Sequence, residues 1–70
     1  MDNKNPADIN GVTPLHIAAN NSHFQICKRI IDNINDKNPA DNRGVTPLQI
    51  VTKNGHFDAY LQIFTNNFLM

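Results

Sequence analysis

Cysteine is almost missing from this sequence. Cys27 stands alone, so no disulfide can close within the chain, and the cross-links that hold many small secreted scaffolds together are excluded. Surplus charge is missing as well. Six basic side chains balance six acidic ones, every acid is an aspartate, and the formal net charge is zero. Nucleic acid and anionic membrane surfaces, which are recognised first through excess positive charge, are therefore not expected partners. Long apolar runs are absent too: none exceeds a few residues, against the roughly 20 that a membrane-spanning helix requires. The segment from Met1 to Ala7 is polar and lacks the apolar stretch of a secretory signal. Together these absences predict an intracellular protein, cytoplasmic or nuclear. Seventy residues leave room for one small hydrophobic core and no second domain.

What the chain does contain is a repeat. Shifted by 33 residues against itself, it aligns Lys4-Asn5-Pro6-Ala7-Asp8 with Lys37-Asn38-Pro39-Ala40-Asp41, and Gly11-Val12-Thr13-Pro14-Leu15 with Gly44-Val45-Thr46-Pro47-Leu48. Ile17 then meets Ile50, Asn21 meets Asn54, His23-Phe24 meets His56-Phe57, and Ile30 meets Ile63, with no gap. A fixed period of this length marks a repeat architecture.

Each unit has a physical reading. Asp8-Ile9-Asn10-Gly11 and Asp41-Asn42-Arg43-Gly44 are turn tetrads, in which aspartate bonds the backbone ahead of it and glycine accepts a positive φ. Thr13 and Thr46 supply N-cap hydroxyls, and Pro14 and Pro47 follow at the first helical position, where a missing N–H costs nothing. Leu15, Ala18 and Ala19 make one apolar face on a helix of about two turns, and the small alanines admit a close neighbour. Asn20-Asn21-Ser22 and Asn54-Gly55 break the pattern, so a second helix is predicted to start near Phe24 and near Phe57. Along the first of these, Cys27, Ile30, Ile31 and Ile34 form a stripe that Ile26 widens, while Lys28, Arg29 and Asp32 take the opposite side.

The run from Asp8 to Ala19, with His23 and Ile30-Ile31 after it, resembles the ankyrin repeat. The resemblance implies an all-α solenoid of helix-turn-helix units joined by β-turn or hairpin tips, with a concave side that binds proteins. It places one unit at residues 8–40, an incomplete one at 41–70, and the tail of a preceding unit at 1–7. The chain is then expected to be part of a longer array. It departs from the family pattern at Ile34-Asn35, where glycine and alanine are usual, and this predicts a longer outer helix. Gln49 replaces the usual histidine, and Val51-Thr52 replace the paired alanines, which predicts looser packing in the second unit.

No catalytic, cofactor or metal site is expected. His16 follows Thr13 by three residues on a capped helix and has no nucleophile to serve; in the family this histidine ties the turn together. His23 and Cys27 supply two ligands, too few to close a zinc site of four. Ser22 and His23 are chain neighbours and cannot face each other as nucleophile and base. Asp8 and Asp41 sit a full unit apart with turns to build, and Lys28-Arg29 reads as a solvated outer face.

The expected function is protein binding, and the candidate contacts are positions that change between units while their neighbours recur. These are Ile9 and Asn10, which become Asn42 and Arg43, and Asn20, which becomes Lys53. Leu61, Phe64 and Phe68, spaced i, i+3 and i+7, form a second apolar stripe and a candidate end face for self-association. If that stripe is an exposed face, Phe68→Glu will raise solubility and leave the helical circular-dichroism signal unchanged. Loss of helix, at a cost of about 3 kcal/mol or more, would instead mark the stripe as core.

Overall fold

Threonine followed by proline starts both inner helices of the computed structural model, which describes residues 4–66. Helix α1 runs Pro14–Asn20 and α3 runs Pro47–Lys53, with the Thr13 and Thr46 hydroxyls accepting from the N–H groups of His16 and Gln49. The outer helices are α2, Phe24–Ile31, and α4, Phe57–Asn66. Helix α1 packs on α2 and α3, and α4 packs on α2 and α3, so the four helices form a two-by-two array. The described structure measures 30 × 28 × 17 Å. Among the described residues the secondary structure is helix and turn, without strands, as an all-α repeat fold requires.

The core follows the sequence pattern closely. Leu15, Ala19, Cys27, Ile31, Val51 and Tyr60 are fully buried, and Ala18 nearly so. Tyr60 occupies in the second unit the position of Cys27 in the first, so a large ring lies over a small thiol where α4 meets α2. Phe24 completes the contact, its ring 6.4 Å from that of Tyr60 and 5.6 Å from His56. Burial, and secondarily the neighbouring Cys27, pushes the Tyr60 phenol well above its ordinary range. Burial likewise pushes the Cys27 thiol up to about 11, which keeps it protonated and unreactive near neutral pH.

Two expectations about the outer helix need correction. Helix α2 does not lengthen through Ile34; it stops at Ile31. The Lys37 ammonium donates to the carbonyls of Ile31 at 2.6 Å and Ile34 at 2.7 Å, so a lysine satisfies the acceptors that the helix end leaves open. Ile26 does not join the buried stripe either: it is half exposed, because the face that packs is centred on Cys27 and Ile31. Val51 is fully buried where Ala18 stands in the first unit, so that position is filled.

The two units are joined at their tips. Asp8 Oδ1 accepts from the N–H groups of Asn10 and Val12, and Asp41 Oδ1 does the same for Arg43 and Val45. Asn42 then crosses between the turns, its N–H donating to the Asn10 carbonyl at 2.9 Å and its side-chain amide to the Ile9 carbonyl at 3.0 Å. A Cβ on Gly11 would lie 2.7 Å from the Asn42 amide oxygen, so this position needs glycine both for its φ of 78° and for the close approach. Asn5 reaches forward to accept from the Leu15 N–H at 2.9 Å, and Asn38 repeats the bond to Leu48 at 3.1 Å.

His16 completes the joint. Its Nε2 lies 2.8 Å from the Val45 carbonyl, which can only accept, so Nε2 carries the proton. The other nitrogen, Nδ1, accepts from the Thr13 hydroxyl at 2.8 Å and N–H at 3.1 Å, closing a capping box with histidine in place of the usual glutamate. His16→Ala is expected to cost about 1–3 kcal/mol, because it strands a buried N–H and a carbonyl of the next unit. Urea denaturation followed by circular dichroism measures this loss.

Candidate functional site

The tips rise beside the inner helices, and a groove of about 560 Å³ opens between them. Val12, Asp41, Arg43 and Val45 form its tip side; Ile17, Asn20, Gln49, Ile50, Lys53 and Asn54 come from α1, α3 and the turn after α3. His16 lies at the seam, and both units contribute to each wall.

The groove's electrostatics come from two cations and one hidden anion. Arg43 projects from the second tip with its side chain 82% exposed, and its Nη2 stands 3.7 Å from Asp41 Oδ2. The Asp41 side chain is only 4% exposed. Hydrogen bonding from the Val45 N–H, with help from the Arg43 N–H and guanidinium, outweighs desolvation and holds its carboxyl below the ordinary 3.8. Lys53, at the end of α3, is exposed.

Three of the residues read from sequence as contacts, Asn20, Arg43 and Lys53, come together on this groove. The other three do not line it. Ile9 projects from the first tip, 91% exposed, while Asn10 and Asn42 are engaged in the tip-to-tip bonds. Leu61 is half-buried on α4; the Phe64 side chain and all of Phe68 lie outside the described residues. Sequence reasoning passed over Ile17, Gln49 and Ile50. A signal for Ile17 was present: it stands two residues from Leu15, off the buried face, and the structure leaves it 55% exposed.

Among the described residues no group of three or more His, Cys, Asp or Glu side chains is arranged to hold a metal, and no described helix is long and apolar enough to cross a membrane. The fold is a helical stack with an open groove shared between its two units. A family model described as ankyrin repeats in three copies matches residues 1–68, and the chain belongs to the ankyrin-repeat family. Proteins of that family are in general non-enzymatic interaction modules. No curated protein and no solved structure matches the chain significantly.

Asp41 makes the tip sensitive to acid. Because its folded-state pKa is depressed, the stabilisation it provides is fully present above the ordinary 3.8 and is lost as pH falls below that value through the folded pKa. Thermal midpoints measured between pH 6 and pH 2 should show a drop at the acid end that Asp41→Asn, which keeps the acceptor oxygen but not the titration, reduces.

Proposed function

We propose that this chain is a non-enzymatic module that binds a segment of another protein in the groove between its tips and inner helices. The observation that carries the reading is Ile17, an aliphatic side chain more than half exposed in a groove whose other lining groups come from both units. Family membership supports it. The lone thiol at Cys27 supports an intracellular setting for the encounter.

The same proposal takes the chain as part of a longer array, with residues 1–7 as the tail of a preceding unit. The Asn5 bond to Leu15 supports this, since it reproduces what Asn38 at the end of the first unit does for Leu48. The rival reading is head-to-tail stacking of whole copies. Two substitutions weigh against it: a joint between copies would set Gln49 of one against Ile9 of the next and so lack both the His16 bridge and the Asn42 tie, whereas a preceding unit of different sequence can bring its own histidine to the first tip.

With a partner captured by affinity purification, Arg43→Ala and Lys53→Ala are expected to weaken retention several-fold with the helical spectrum intact, while Lys28→Ala on the outer helix changes little. Dependence on Lys28 and not on Arg43 would place binding on the outer face and overturn the groove. Sedimentation of the chain alone should show no growth in size with concentration; growth would favour stacking.

A further inference from the structure

We infer that the groove selects an acidic, extended segment with an aliphatic side chain between its carboxylates, a specificity that rests on the groove being the binding face. The exposed ionised groups on its walls are both cations. Arg43 and Lys53 are open to solvent, whereas Asp41, the carboxylate among the lining residues, is buried and has Oδ1 committed to its own turn. The 3.7 Å contact with Asp41 orients the Arg43 guanidinium without covering it.

The spacing fits a chain in extended form. Arg43 stands on the tip, four residues before α3 begins, and Lys53 at the far end of α3, a helix of seven residues that is itself roughly 10 Å long. An extended segment covers the length of the helix alone in about three or four residues, which leaves room for at least one side chain between two carboxylates. Ile17 and Ile50 offer that central side chain an apolar contact. Asn20, Gln49 and Asn54 present amides, which both donate and accept and so suit a peptide backbone. Two cations at opposite ends do not converge on one phosphate, and the net charge of zero provides no field to hold a nucleic acid.

Selection of random peptides displayed on phage against the immobilised chain tests this directly. The expected result is enrichment of sequences with two acidic residues flanking an aliphatic one. Synthetic versions of the selected peptides should bind about threefold more weakly to Arg43→Gln and to Lys53→Gln, should lose affinity as salt is raised, and should fail on Ile17→Ser. Circular dichroism verifies that each variant is folded, and Ile17 is exposed enough for the substitution to be tolerated. Neutral or basic peptides that depend on Ile17 but not on Arg43 or Lys53 would overturn the acidic preference and leave the groove standing. Peptides indifferent to all three residues, or no enrichment at all, would overturn both.

Discussion

One imidazole carries the joint on which the rest of this small structure depends. His16 caps its own helix through Nδ1 and holds the next unit through Nε2, so the geometry inside one unit and the spacing between units are set by a single buried ring. The Nδ1 bonds are buried and the Nε2 bond is partly so, and with His16 almost wholly removed from solvent an unmade hydrogen bond there is costly. The groove borders this joint. The His16 bond ties its tip side to α1, beside the Asn42 bonds between the tips, and its floor is the packed pair of inner helices.

Comparing equivalent positions separates what a residue does for its own turn from what it does for a neighbour. Gly11 has the second tip pressed against it, whereas a Cβ on Gly44 would meet nothing within 4 Å. Ala19 is fully buried, and its counterpart Thr52 is exposed, its hydroxyl turned back to the Leu48 carbonyl. His16 bridges, and Gln49 is exposed. Along α3 the positions equivalent to His16 and Ala19 are thus polar and exposed, whereas in α1 they are buried against the second unit.

Much of this was legible in the amino-acid sequence, because the features involved are local. Turn aspartates, threonine caps followed by proline, and the apolar face of Leu15, Ala18 and Ala19 each act within four residues, and the 33-residue period says that they act twice. What was not legible depends on residues meeting across space. The end of α2 is decided by Lys37, six residues beyond Ile31, whose ammonium folds back onto two carbonyls. The tie between tips needs Asn42 to meet residues 9 and 10 from the other unit, so a position that varies between units proved to be part of the joint. Ile17 recurs as Ile50, and an aliphatic residue found twice at one position suggests core; only its place two residues from Leu15, off the buried face, argued otherwise.

The contact between the tips also has a polarity. The first unit is a socket, with Gly11 leaving space and His16 reaching forward, and the second is a plug, with Asn42 reaching back. These parts are not interchangeable. A transposed chain, second unit first, would set Gln49 against the Val12 carbonyl and leave Asn42 with no turn to grip. Tandem duplication of either unit alone would likewise yield one half of the fastening twice. The order of the two units is therefore written into two pairs of equivalent positions, His16 with Gln49 and Ile9 with Asn42, and shuffling the units would change the molecule even though every helix survived.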